Sequence, residues 1–414
     1  MFIGIVADDL TGAADSVAPF AQQGYAAGVG FQGGESPGPS WDALALITGL
    51  RDRGSIKPTL IASIVRKITQ QLIGLAPQIY FKKIDSTLRG HLRAELDGMR
   101  RELPGRIALI CPASPANGRT VENGVLQVGS VPLSETEFVR ETTNPEKFAT
   151  VRSAFEMAGD PAAAEIGLAS IREGTVFAEA ELERHIAAGV RTLFCDAVTA
   201  EDLRTLAQIL LNHPKRYLPV GSAGLTRAIA ATLPALPASE MPLWNADLFT
   251  RGRILVVVGS MHAMSRRQAR RLIGGPGVRH FISAPDENLL ALMETISFCS
   301  DSPDEKRLLL MTPDARRPNR GAYSFEPLFH MLSLREMEQA FAMPFDGYMV
   351  TGGETAHEVC AALRGANLQI CGESEPGIVR AVLNRSSGLA SVPIILKAGG
   401  FGDEGTLARC LGLE

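Results

Sequence analysis

The chain is as informative in what it lacks as in what it carries. No apolar run approaches the ~20 residues of a membrane-spanning helix. There is no basic surplus, with 41 Lys and Arg against 45 Asp and Glu for a formal net charge of -4, which argues against a nucleic-acid binder. The six cysteines contain no C-x-x-C pair, so a zinc or disulfide framework is not expected, and free or buried thiols of a reducing compartment are. Met1-Phe2-Ile3-Gly4 carries no basic n-region, and the expected location is therefore cytoplasmic. No G-x-x-x-x-G-K-[ST] occurs and no H-R-D or D-F-G, which excludes the P-loop and protein-kinase designs. The seven histidines show no metal-ligand spacing, and no metal ligand can be named. A G-x-G-x-x-G does occur at residues 28–33, but Gly34, Pro37, Gly38 and Pro39 follow, so no helix can start there and it is rejected as a dinucleotide site.

What remains is ordinary globular composition, 45% hydrophobic and 21% charged, over 414 residues. That length exceeds what one core usually organises, so two domains are expected. Short apolar runs at residues 2–7, 26–31, 43–48, 78–81, 106–111, 191–195 and 217–220 alternate with helical patterns, among them 12–23, 58–75, 145–157, 178–187 and 200–212. Thr11 is placed to cap the first helix and Pro58 suits the first turn of another. Residues 112–141 are rich in turns and short alternations, which predicts a hairpin insertion over a sheet edge. Pro234, Pro237 and Pro242 mark a linker, and a second strand–helix series follows at 254–258, 307–311, 347–350 and 392–396. The expected fold is two doubly wound α/β domains with a hairpin insertion in the first and an active site in the cleft between them. The boundaries are 1–235, a linker over 236–250, and 251–414.

Three stretches put chemistry at the carboxyl ends of strands, where open α/β sheets bind ligands. In the first, Asp8 and Asp9 end the opening strand with Asp15 beyond, and these acids fit either a helix N-cap cluster or contacts to sugar hydroxyls. In the second, Lys82, Lys83, Asp85, Ser86, Thr87 and Arg89 crowd the end of the strand at 78–81. The two lysines, a carboxylate and two hydroxyls, with Arg89 beyond them, suit a small, anionic, hydroxylated ligand. Alternation puts Lys83 and Asp85 on one side, so they fit a structural ion pair as well as a site. Arg51 follows another strand end and can clamp a carboxylate through its planar fork, or lie on the surface. Thirdly, the second series carries glycine turns after strands: Gly259-Ser260; Gly352-Gly353-Glu354-Thr355; and Gly399-Gly400. Such turns let backbone amides approach a phosphate at a helix N-terminus, although each also occurs in proteins that bind nothing.

Six motifs together resemble a known family, the four-carbon acid sugar kinases. They are A-D-D-L-T-G-A at 7–13, K-K-I-D-S-T-L-R-G at 82–90, G-R-T-V-E-N-G-V at 118–125, V-P-L-S-E-T-E-F at 131–138, T-G-G-E-T-A at 351–356 and K-A-G-G-F-G at 397–402. The resemblance implies ATP-dependent phosphorylation of threonate, erythronate or 3-dehydrotetronate on the terminal 4-hydroxyl, with Mg²⁺. It implies an acid-sugar site at Asp9, Arg51, Lys82, Lys83, Ile84 and Asp85, with Asp9 and Asp85 catalytic and Arg89 and Arg119 as weaker candidates. It implies a nucleotide site at Ser260, Gly352, Gly353, Glu354, Thr355, Gly399 and Gly400. Three positions depart from the family pattern. Leu50 stands where a serine often precedes the arginine, and Ala398 and Gly400 replace polar residues of a motif that more often reads K-S-G-N-F-G. The implied partners are the acid sugar and ATP, with no nucleic acid and no membrane, and a homodimer is compatible with the chain. The rival reading is a non-catalytic sugar-acid sensor, which needs the cationic site without the nucleotide loops.

Overall fold

The computed structural model describes residues 1–31, 41–49, 56–140, 145–237, 244–282, 306–312, 345–386 and 389–414. The chain forms two compact units. The first comprises Met1–Asp8, Pro19–Ala27 and Ser40–Ser239, and the second Asp9–Ala18, Gly28–Pro39 and Glu240–Glu414. Two short N-terminal segments, including Asp9, thus group with the second unit although they precede the linker.

Among the described residues, eleven strands lie in the N-terminal part: β1 (Ile3–Ala7), β2 (Ala27–Gly30), β3 (Ala43–Ile47), β4 (Ile79–Lys83), β5 (Ile107–Cys111), β6 (Arg119–Glu122), β7 (Val125–Val128), β8 (Val131–Pro132), β9 (Ala163–Ile166), β10 (Thr192–Cys195) and β11 (Tyr217–Gly221). The first unit's sheet runs β3-β1-β4-β11-β5-β10-β9, and every pair in it is parallel. β1, β3, β4, β5, β10 and β11 are buried along their whole length, as expected of strands covered on both faces by helices. The helix Pro58–Gly74 starts on its proline and presents Ile61, Val65, Ile68 and Leu72 to the core. β6, β7 and β8 form a separate antiparallel sheet, so the predicted hairpin insertion is a three-stranded meander.

Other elements also differ from expectation. The helix expected over 145–157 is only a 3₁₀ turn, Pro145–Phe148, and a single turn, Val151–Ala154, that Thr150 and Ser153 close with a capping box. Asp9, not Thr11, caps the first helix (Leu10–Gln22), its Oδ1 accepting from Gly12 N at 2.6 Å. β9 has a small, part-polar sequence, AAEI, which gives little periodic signal.

The second unit adds β12 (Ile254–Val258), β13 (Val278–Ile282), β14 (Arg307–Met311), β15 (Gly347–Thr351), β16 (Gly365–Glu375), β17 (Ile378–Arg385) and β18 (Val392–Lys397). Its order is β13-β14-β12-β15-β18-β17-β16, parallel from β13 to β18 and antiparallel beyond. The long β16–β17 pair, turning at Gly377 (φ +78°), was not anticipated. Gly28, Val29 and Gly30 of β2 pair antiparallel with β16, which gives the rejected glycine motif a structural role. Phe249, Val256, Val258, Leu309, Met349, Ile395 and Leu407 are among the core residues of this unit. Among the described residues no helix is long and apolar enough to cross a membrane. The five described cysteines are free, and burial raises the thiols of Cys111, Cys195, Cys360, Cys371 and Cys410 well above the range in which they ionise.

Candidate active site

In each unit strand order reverses beside the first strand of its series. β1 lies between β3 and β4, and β12 lies between β14 and β15. The carboxyl ends flanking such a reversal are where a doubly wound sheet leaves a crevice. The charged stretch follows β4, and the glycine turns follow β12, β15 and β18. Both sets therefore stand where the topology exposes loop backbone.

At the end of β4, Lys82 is level with Val6 of β1 and Val220 of β11. Its side chain is fully buried, and Nζ lies 2.7 Å from Glu95 Oε2 and donates to Lys83 O at 2.7 Å. Glu95 comes from the helix Leu92–Glu102, where it sits in the buried stripe with Leu92, Leu96 and Met99. An acid inside an apolar helical stripe is the sequence signal that went unread. Lys83 is also buried. Ile84 has its side chain in the core, so its contribution is its backbone, whose N–H donates to Gly221 O at 2.9 Å.

Asp85 is half-buried, and Arg89 holds it with a fork, Nε to Oδ2 at 2.6 Å and Nη2 to Oδ1 at 3.2 Å. Thr87 Oγ1 donates to the same carboxylate at 2.5 Å. Burial by itself would raise this carboxyl, but the Arg89 charge, the hydrogen bonds from Arg89 and Thr87 and the charge of Lys83 together hold it well below the usual range. Asp85 is thus anchored as an anion by Arg89, with Lys83 contributing only its field, instead of the simple Lys83–Asp85 pair that alternation allowed. Arg119 lies on β6, with its guanidinium on the Asn117 carbonyl. Arg51 falls outside the described residues.

In the second unit, Val258, Thr351 and Lys397 stand level across β12, β15 and β18, so three strand ends and their glycine turns are in register. The glycines are required by space. A Cβ on Gly259 would lie 2.0 Å from Thr355 Oγ1, one on Gly399 would lie 2.4 Å from Ser260 Oγ, and one on Gly400 would lie 3.0 Å from His262 Nε2. Gly352 is also left-handed (φ +97°). These contacts bring Ser260, Thr355, Gly399 and Gly400 together. Gly353 and Asp9 meet as well, because a Cβ at Gly353 would lie 2.9 Å from Asp9 Cγ. Helices start at Ala263 and Gly353 directly after the first two turns, and His262 caps the former by accepting from Met264 N through Nδ1 at 3.2 Å. Glu354 is exposed in the first turn of the latter. A cradle of closely packed glycine backbone beside two helix N-termini fits a polyphosphate. Among the described residues no three His, Cys, Asp or Glu side chains gather as a metal cluster.

Residues 3–229 match the family described as a sugar-binding N-terminal domain, and residues 255–407 match that described as a nucleotide-binding C-terminal domain. The chain is 31% identical to a D-threonate kinase of Bordetella bronchiseptica, covering 99% of this chain and 96% of that protein. It is 26% identical to a D-erythronate kinase of Heliobacterium modesticaldum, covering 98% and 95%. Its fold is similar to that of a Salmonella typhimurium protein solved under the description of a tRNA synthase, with a TM-score of 0.78, 23% identity and coverage of 100% and 99%. That last likeness carries the fold alone.

Proposed function

Because this chain belongs to the family of four-carbon acid sugar kinases, we propose that it transfers the γ-phosphoryl group of ATP to the terminal 4-hydroxyl of threonate, erythronate or 3-dehydrotetronate. The observation that carries the reading is the set of three level strand ends in the second unit, each followed by a glycine turn in which a Cβ would crowd a neighbouring side chain. In the reaction the 4-hydroxyl oxygen forms a bond to the γ-phosphorus as the bond to the ADP oxygen breaks, and the hydroxyl proton leaves to a carboxylate or to water. Such transfer needs positioning and charge neutralisation more than covalent chemistry.

The charged end of β4 supplies the acid-sugar site of this proposal, with Lys83, whose charge acts on Asp85, as a cation of the site and Arg51 joining on sequence grounds alone. Lys82, locked on Glu95, sets the strand end. Asp85 is held ionised by Arg89, so its role is to orient the hydroxyl; a carboxylate this strongly stabilised is a weak base. Ser260, Gly352, Gly353, Thr355, Gly399 and Gly400 would bind the phosphates, with Glu354 in the first turn of the helix Gly353–Ala362. Mg²⁺ would enter with the phosphates, which supply much of its oxygen shell and whose charge it neutralises. Asp9, packed on Gly353, brings a carboxylate to that backbone.

ADP release measured against a panel of four-carbon acids tests the proposal. At least one acid should support turnover that depends on ATP and Mg²⁺, and the corresponding neutral polyol should be poor. A protein that binds an acid but releases no ADP with any of them is a sensor, and the kinase reading fails. Gly353→Ala refines the residue assignment. It should weaken nucleotide binding at least tenfold, and, because the new methyl group displaces Asp9, it should weaken acid binding by a smaller factor.

A further inference from the structure

Lys397 ends β18 and is completely buried, yet its ammonium has no carboxylate within salt-bridge distance among the described residues. Its three hydrogen bonds go to neutral oxygens: Ala398 O at 3.0 Å, Gly399 O at 3.1 Å and Ser265 Oγ at 3.4 Å. Ser265 Oγ in turn donates to Gly399 O. An ammonium has three N–H donors, and here all three are used. A buried cation held only by dipoles is costly unless something else requires it.

The direction of those dipoles supplies the requirement. In a trans peptide the carbonyl and the following N–H lie in one plane and point in opposite directions. With the carbonyls of Ala398 and Gly399 turned onto the ammonium, the N–H groups of Gly399 and Gly400 point away from it. Neither N–H has a protein acceptor among the described residues, and both glycines are half-exposed, packed against Ser260 and His262. Consecutive amides aimed the same way, with a positive charge behind them, form an anion-binding concavity. The family's more usual motif carries polar side chains at positions 398 and 400, and this chain has Ala398 and Gly400, which leaves the backbone as the donor.

We propose that Lys397 is a positioning residue of the nucleotide site: from beneath the loop it turns the amides of Gly399 and Gly400 outward, so that this backbone binds a phosphate of the nucleotide. The inference rests on the kinase reading for the identity of the anion and on the loop geometry for the role of Lys397. Its electrostatic state bears on the role. Burial pulls the ammonium down to about 7, opposed by the weaker influence of Cys410 on the last helix and Glu375 on β16. Loss of the proton removes both the charge and one of the three donors. Binding of an anion by the loop holds the proton on.

The test is direct binding of ATP to the full chain by calorimetry across pH 6.5–9, in wild type, Lys397→Met and Ser265→Ala. Thermal melts and acid binding report whether the rest of the molecule is intact. Lys397→Met keeps the volume and removes the charge, so Kd for ATP should rise at least tenfold with acid binding unchanged. The ratio of variant to wild-type Kd should shrink as pH rises, since wild type loses the same proton. Ser265→Ala retains the ammonium and should raise Kd two- to fivefold while keeping the wild-type pH profile. If Lys397→Met does not fold, the Ser265→Ala result decides. A folded Lys397→Met or a Ser265→Ala protein with wild-type Kd overturns the inference, as does a Kd ratio that is independent of pH. Wild type that binds ATP but phosphorylates no acid overturns the kinase reading and leaves the role of Lys397 standing.

Discussion

Each unit buries a lysine at the carboxyl end of a central strand, and the two are satisfied in opposite ways. Lys82 at the end of β4 meets a carboxylate, Glu95, at 2.7 Å. Lys397 at the end of β18 meets two carbonyls and a hydroxyl. The first arrangement pairs charge with charge, so its electrostatics are closed within the fold and it fixes a strand end against a helix. The second leaves net positive charge in the interior, available to the loop above it. The difference teaches that a buried lysine reads as structure or as site according to what its donors touch, not by its burial.

The comparison breaks most visibly if Glu95 is changed. Glu95→Gln keeps the shape and leaves Lys82 buried without its counter-charge, which should cost about 3–5 kcal/mol in urea or thermal unfolding. Replacing both partners with apolar residues, Lys82→Met with Glu95→Leu, should cost much less. A single mutant as stable as wild type would mean that the pair is not closed.

At Lys397 the expected signature is a slope. The folded-state value, about 7, lies below the ordinary 10.5, so between them the unfolded chain holds a proton the folded chain has released. Stability contributed by this group therefore rises with pH across that window, by at most ~1.4 kcal/mol per pH unit. Lys397→Met should lose that slope when the ligand-free proteins are melted from pH 7 to 10. Equal slopes in the two proteins would show that Lys397 titrates normally.

Asp85 should show a smaller effect of the same sign in a lower pH window. Its folded-state value is depressed, so its contribution is complete at neutral pH and is lost as pH falls below the ordinary carboxylate range. Because Arg89 is largely exposed, the pair is screened, and Asp85→Asn should cost about 1 kcal/mol or less at pH 7. The same variant should lose most turnover, and normal kcat would remove Asp85 from the site. The smallest effect is expected for Asp9→Asn. Asparagine also caps helices well, so stability should change by only a few tenths of a kcal/mol, checked by thermal melting, while turnover falls sharply.

The sequence by itself determined much of the parallel framework. Fully buried strands such as β1, β5 and β12 are unbroken apolar runs, and a helix such as Pro58–Gly74 announces its start with proline, because these signals are local. The motif residues were legible for the same reason: a glycine after an apolar run, or charges crowding its end, can be read in a window of ten. Tertiary structure decided what those windows could not contain. Partner choice beyond such a window made Lys82 the partner of Glu95 and put Asp9 against Gly353, 344 positions away in the chain. Lys397 was visible as a letter in a motif, but its burial, and the direction in which it turns the carbonyls of Ala398 and Gly399, depend on β18 and on Ser265 of a distant helix. Residue type is written locally, whereas the neighbours that give a charge its energy are set only by the packed fold.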